Sequence, residues 1–285
     1  MYNLRYHVAS LVAVFFALTV GLVLGSIVVE RGTIDSQQAA LVKSLRTDFV
    51  RMNAENKTLS AQVSANQEFE NELVPRITQS SLTGQTILVL ANPGRTDALS
   101  SVVGAIEGAG GSAAVAMLQG PGLLLGQEKV ADAARTALGT AAEGDDLIRS
   151  VNASLSVEWA DGGPRTLTDA LVAAQALRID NLPSGARVDG LVTLASWDKK
   201  VDPITVGLSA AARQHGMAVV GAQPYTASTD VARAFADAGL DAVNDAGTPR
   251  GNYSLVMVLS RNASGFFGVG PSTDAPFPPL PEPTK

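Results

Sequence analysis

The sequence predicts an α/β fold preceded by a long helical segment, and three observations carry that reading. Residues 8–29 form an uncharged apolar run, residues 34–74 contain neither Gly nor Pro, and after Gly84 short apolar runs alternate with helical patterns. The expected organisation is an N-terminal tail at 1–7, a transmembrane helix at 8–29 and a coiled-coil helix at 33–75. An α/β domain at 84–267 and a Pro-rich disordered tail at 268–285 complete it.

In the first run only Ser10, Thr19 and Ser26 are polar. As a helix it reaches about 33 Å, against a hydrocarbon core of about 30 Å. A cleaved signal has a shorter apolar region and a small-residue cleavage site, and no Ala-x-Ala precedes Glu30-Arg31. A core helix usually keeps a polar face. The run therefore reads as a retained anchor. Its flanking charges, Arg5 before it and Arg31, Lys43 and Arg46 after it, leave orientation open. We take the N-terminus as cytoplasmic and the bulk of the chain as extracytoplasmic, a placement that a chain without cysteine allows. Ala9, Ala13, Ala17, Gly21 and Gly25 recur every fourth residue. Such a ridge of small side chains lets two helix backbones approach closely, so a transmembrane helix contact is expected there.

The next stretch reads in heptads. Val42, Phe49, Asn56, Val63 and Glu70 fall at a, and Leu45, Met52, Leu59, Asn66 and Leu73 fall at d, which makes seven of the ten apolar. That is a narrow coiled-coil seam, and an Asn at an a position fixes register in parallel dimers. The same seam could instead fold back on the chain's own domain; a homodimer is the expectation carried forward.

Beyond Gly84, the run at 86–91 reads as a buried strand, and Thr96 as the cap of a helix to Gly108. Gly110-Gly111 turns the chain into a strand at 113–117. Helices are expected near 131–138, 167–177, 204–215 and 230–238, with strands at 190–194, 218–221 and 253–259. Glu143, Asp145 and Asp146 read as a solvated loop. Buried strands alternating with helices give a mostly parallel sheet. The prolines of the tail favour an extended, solvated segment.

Chemistry is sparse. Lys and Arg number 21 against 27 Asp and Glu, a net charge of −6 with no basic cluster, so nucleic acid is not an expected partner. There is no cysteine and no Gly-x-Ser-x-Gly elbow, and no catalytic residue is assigned. The loop Asn92-Pro93-Gly94-Arg95-Thr96-Asp97 could wrap an anion, but it lacks both phosphate-loop glycine spacings and is equally a turn with a helix cap. His215-x-Met217 is the one His/Met proximity, whereas Cu(I) favours several soft sulfur ligands. No cofactor is evident and no metal ligand is assigned. By themselves these residues describe a membrane-tethered, coiled-coil, non-enzymatic envelope protein.

The opening Leu4-Arg5-Tyr6-His7-Val8-Ala9-Ser10-Leu11, followed by Gly21-Leu-Val-Leu-Gly25-Ser26, resembles the start of an actinobacterial family. This is the MctB-like copper transport family, which also includes the cell-division-linked protein SteB. The heptads and a Rossmann-like domain follow the family's layout. The resemblance implies copper transport or copper resistance at the cell envelope, with a scaffold for cell-wall or cell-division partners as the rival role. Copper enters through this resemblance alone, and no family ligand falls on a matching position. The family's reported outer-membrane location calls for barrel strands of about 9–11 residues; the membrane-length feature here is a helix, so a single pass through the cell membrane is expected.

Overall fold

The computed structural model describes residues 4–93, 96–194, 202–225 and 231–281. The chain divides into two compact units, Met1–Asn66 and Gln67–Lys285.

The first unit holds the greater part of one helix, whose last turns belong to the second unit. α1 (Leu4–Thr78) is 75 residues long and runs through Gly32 and Pro75 without a break. The two segments expected at 8–29 and 33–75 are thus a single element. One Gly in a helix interior costs only about 1 kcal/mol, and neighbouring turns absorb it. Pro75 removes a single backbone donor so close to the end that one further turn follows, where the Thr78 hydroxyl donates to Val74 O at 2.8 Å. Within α1, Arg5–Ile27 is long and apolar enough to cross a membrane. Its polar side chains are satisfied by the helix itself: Thr19 donates to Phe15 O at 2.7 Å and Ser26 to Val23 O at 3.0 Å.

The second unit is built on seven strands: β1 (Thr86–Ala91), β2 (Ser112–Leu118), β3 (Leu177–Asp180), β4 (Gly190–Thr193), β5 (Ala218–Pro224), β6 (Asp241–Ala246) and β7 (Phe266–Phe267). Their order is β3-β2-β1-β4-β5-β6-β7. Only the β2–β3 pair is antiparallel. Among the described residues seven α-helices accompany them: α2 (Thr96–Gly108), α3 (Glu128–Leu138), α4 (Gly144–Asp161), α5 (Thr166–Ala173), α6 (Pro203–Gln214), α7 (Ala232–Asp237) and α8 (Pro249–Leu259).

The apolar run of β1 follows from burial on both faces. Leu88 and Leu90 join Leu155, Trp159 and Leu171 of α4 and α5, whereas Ile87 and Val89 join Ile106 and Val256 of α2 and α8. A third cluster seats Phe235 of α7 with Leu240, Ala242 and Phe266.

Several expectations are corrected. Residues 253–259 are not a strand but the core of α8, which is buried all round and so shows no helical period to a reader of apolar pattern. Glu143, Asp145 and Asp146 are not a loop: they open α4, with Glu143 at its cap position and both aspartates in the first turn, where carboxylates suit the helix dipole. The helix expected to reach 177 stops at Ala173, and Gln175 takes a left-handed φ of 64° before β3 begins. β3, β6 and β7 were not foreseen. The expected disordered tail is tied to the domain as far as it is described. Asp274 Oδ2 accepts from Phe266 N at 2.8 Å, Asn244 Oδ1 from Val269 N at 2.8 Å, and the Tyr253 hydroxyl donates to Pro279 O at 2.8 Å.

Candidate functional site

α1 carries the first group of expected site residues. Ala9, Ala13, Ala17, Gly21 and Gly25 are all exposed, and a Cβ built at either glycine meets nothing within 4 Å. The ridge is an open face. The seam residues Val42, Leu45, Phe49, Met52, Leu59 and Val63 are each more than half exposed, as their 53–66 % values show, and Asn56 is exposed with them. Leu73 is half-buried, and Glu70 is too. Because α1 is unbroken at Gly32, the heptad frame can be counted back through the ridge: Ala17 and Gly21 fall at d and a, Ala13 and Gly25 at the flanking g and e, and Ala9 at c, off the seam. Gly21 lies three heptads before Val42, and Ala17 four before Leu45.

His215 and Met217 do not converge. His215 is the exposed C-cap residue of α6, while Met217 is 4 % exposed and packed in the core. The other methionines of the sheet domain, Met117 and Met257, are buried at separate places. Among the described residues no group of three His, Cys, Asp or Glu gathers to hold a metal ion. In the loop at 92–97, Gly94 and Arg95 lie outside the described residues; Asn92 is 5 % exposed at the end of β1.

The densest polar cluster surrounds the start of α8. Thr248 and Pro249 begin it: the Thr248 hydroxyl accepts from Gly251 N at 3.1 Å, and Pro occupies a position whose N–H needs no partner. That Thr-Pro pair was the available sequence signal, and it was missed. Asp245 leads into this turn and is 2 % exposed. Its backbone carbonyl accepts from Thr248 N at 3.1 Å and from the Thr248 hydroxyl at 2.8 Å, yet its Oδ1 has no partner. Burial pushes its carboxyl up to about 6, partly offset by the positive charge of Arg250. The packing is tight, since a Cβ on Gly251 would sit 2.7 Å from that Oδ1.

Around this carboxyl, Asn252 accepts from Gly247 N at 3.1 Å and donates to Ser101 Oγ of α2 at 2.8 Å. Arg250 pairs with Glu70 of α1 and stands 5.7 Å from the Phe277 ring centroid. A groove of about 170 Å³ opens beside it, lined by Asn71, Val74 and Pro75 of α1, Ser101, Gly104 and Gly108 of α2, and Asn252. The cluster joins the last turns of α1, helix α2, helix α8 and the C-terminal segment. These hydrogen bonds and the Arg250–Glu70 ion pair hold the four segments together.

Comparison with known proteins gives a consistent family. The family model described as "Copper transport outer membrane protein, MctB" matches residues 1–278. Copper transporter MctB of Mycobacterium bovis is 33% identical over 113 residues, covering 38% of this chain and 36% of that protein. The same figures hold for Copper transporter MctB of Mycobacterium tuberculosis strain H37Rv. The aligned part thus spans little more than a third of the curated relatives' length. No solved structure matches.

Proposed function

The chain belongs to the MctB family of copper transport proteins, and from that premise we propose that it handles copper at the cell envelope as a membrane-tethered assembly. The observation that carries this reading, beyond the family, is α1. Its first part, Arg5–Ile27, has the length and composition of a bilayer span, and the same helix continues as a rod with an exposed apolar seam. Exposed apolar surface of that extent needs lipid along the span and a protein partner along the seam. A parallel homodimer supplies the partner.

The proposed location is a single pass through the cell membrane with residues 30–285 outside the cytoplasm. The Rossmann-like sheet domain is then extracytoplasmic. Both faces of that sheet are packed against helices, so its apolar strands serve a core and are not offered to lipid. Copper in this reading is cargo. The work assigned to the chain is to assemble and to present the domain, without catalysis.

A second reading rests on the same exposed seam: a scaffold for cell-wall or cell-division partners, in which copper is incidental. Deletion of the gene from its host, scored for copper sensitivity alongside cell length and septum placement, separates the two. Copper sensitivity with normal septa is the expected result. Misplaced septa with unchanged copper tolerance would overturn the copper reading and leave the scaffold.

A further inference from the structure

Independently of the copper reading, a second place in the sheet domain has the chemistry of a binding site. A cleft of about 1020 Å³ lies between the turn before α5, the free side of β3 and the loop at 182–185. We propose that it binds an extended peptide, added as a further strand on β3, with a carboxylate of the peptide held by Arg165.

Strand geometry supplies the first argument. Arg178 and Ile179 both line the cleft. Neighbours on a strand point to opposite faces, so a cleft that touches both straddles the strand's edge. β3 is the last strand on its side of the sheet. Its register against β2 fixes which backbone groups are spent. Gln119 N donates to Ala176 O at 3.0 Å, and Arg178 and Asp180 stand opposite Met117 and Val115. In an antiparallel ladder, residues in this alternating set exchange both main-chain bonds with the partner strand. Ile179, between them, therefore turns its N–H and C=O outward, toward an incoming strand.

Electrostatics supplies the second. The Arg165 guanidinium is held by two backbone carbonyls, Ala186 O at 2.7 Å and Leu182 O at 3.4 Å. Carbonyls orient a guanidinium without neutralising it. No carboxylate lies within ion-pair distance of it among the described residues, and its buried Nε has no acceptor. Arg178, by contrast, is already paired with Asp180 at 2.9 Å. The start of α5 is not the anion site either, because Glu158 occupies it: its Oε1 accepts from Leu167 N at 2.7 Å and its Oε2 from Thr168 N at 3.0 Å. What remains beside the open strand edge is an oriented guanidinium with no ion-pair partner among the described residues.

Those two features together select the ligand class. A small anion would use Arg165 and leave the edge untouched, whereas an extended peptide uses both. Main-chain pairing gives affinity, and alternate side chains meet the apolar wall of Val172, Ile179 and Leu182. Asp169 on the same wall disfavours a second carboxylate nearby.

The test uses the full chain in detergent micelles and an array of random nonapeptides lacking Asp and Glu, made once with free C-terminal carboxylates and once as amides. Selection of the carboxylate set is expected. For the best binder, Arg165→Gln should weaken affinity roughly tenfold or more, the loss of a charge-assisted bond. Ile179→Pro should abolish binding, and β2 pairing should survive because that N–H serves no bond within the sheet and Pro is tolerated at an edge. Circular dichroism checks both folds. If Ile179→Pro unfolds, the same question is put to the ligand: N-methylation at alternate peptide residues should remove binding in one phase and spare it in the other. Equal binding of amides, indifference to both backbone blocks, or no binder in either array overturns the proposal.

Discussion

Arg250, in the first turn of α8, forms an ion pair with Glu70, which lies 180 positions earlier on α1. Glu70 occupies an a position of the heptad pattern, where a charge makes no sense for a seam. Its partner explains it. The side chains are 38% and 22% exposed, so the pair is partly desolvated, and Phe277 flanks the guanidinium.

Breaking this pair should loosen the joint between the end of α1 and the sheet. Arg250→Ala is expected to cost about 1–2 kcal/mol, more than a surface pair, because it also removes the contact with Phe277. A double-mutant cycle with Glu70→Gln, followed by urea unfolding, measures the pair itself. A coupling of about 1 kcal/mol is expected; none would show that Arg250 acts through Phe277 alone.

Asp245 gives a pH dependence with a definite sign. Its carboxyl is raised from 3.8 to about 6 in the folded chain, by burial first, against the opposing charge of Arg250. Between those two values the native state binds the proton better than the unfolded state does. Stability contributed by this group is therefore full below about pH 4, falls as pH rises toward 6, and is lost above that. The whole difference is on the order of 3 kcal/mol. Asp245→Asn should flatten this slope and stabilise the domain at pH 7.5, as read from urea midpoints at pH 4.5 and 7.5. Stability that climbs from pH 4.5 to 6 in the wild type and not in the variant would contradict the assignment.

The centre of the sheet, β2, β1, β4 and β5, was legible because those strands state their burial openly. The run at 86–91 is apolar on both faces, and Gly110-Gly111 marks the turn that follows. The strands toward the two edges, β3, β6 and β7, were not. β6 reads Asp-Ala-Val-Asn-Asp-Ala, too polar for a core strand; its Asn244 and Asp241 are spent on neighbouring backbone at Val269 and Gly265. α8 is apolar all round, so period could not separate helix from strand, and only its Thr-Pro start could have done so. The polar joint at Asp245 was invisible for the same reason: its members come from four segments whose adjacency follows from the sheet order. The sequence also suggested a break at Gly32 that tertiary geometry does not make.

Gly221 and Phe235 offer a cleaner packing test. A Cβ on Gly221 of β5 would fall 2.1 Å from Cγ of Phe235, which is fully buried. Gly221→Ala should destabilise the domain by about 2–4 kcal/mol, since neither a strand backbone nor an enclosed ring can retreat. Adding Phe235→Leu should recover part of that loss, although the same change alone is destabilising. A double variant no better than the sum of the singles would mean that the ring moves aside freely.

His215 and Met217 should not act together on copper. One is an exposed cap residue and the other a core side chain, so a shared ion would require α6 to unwind. Calorimetric titration of the full chain with Cu(I) should give the same isotherm for the wild type, His215→Ala and Met217→Ala. A tight, stoichiometric site abolished by both substitutions would place copper at that corner and move the proposed cargo role toward direct chelation.

The unbroken α1 makes the assembly proposal sharper than two separate contacts would. Gly21 and Val42 fall in one heptad phase, as do Ala17 and Leu45, so the ridge from Ala13 to Gly25 and the apolar seam can face the same partner helix. Parallel chains inserted from the same side of a membrane satisfy both at once. Each contact alone is modest: small-residue packing in lipid lacks a hydrophobic drive, and Asn56 interrupts the seam. Joined on one helix, the first contact raises the effective concentration for the second. Leu59→Asp should therefore weaken dimerisation of residues 30–285 strongly and that of the full chain only in part, and Gly21→Ile with Gly25→Ile should likewise weaken the full-chain dimer only in part, because the seam is left intact. The chain has no cysteine, so Leu59→Cys introduces a single thiol. Efficient disulfide formation between two copies in native membranes is the expected result. Failure there, with a photoactivatable label on that thiol crosslinking instead to the same chain's sheet domain, would mean that the seam is satisfied internally and that the dimer does not form.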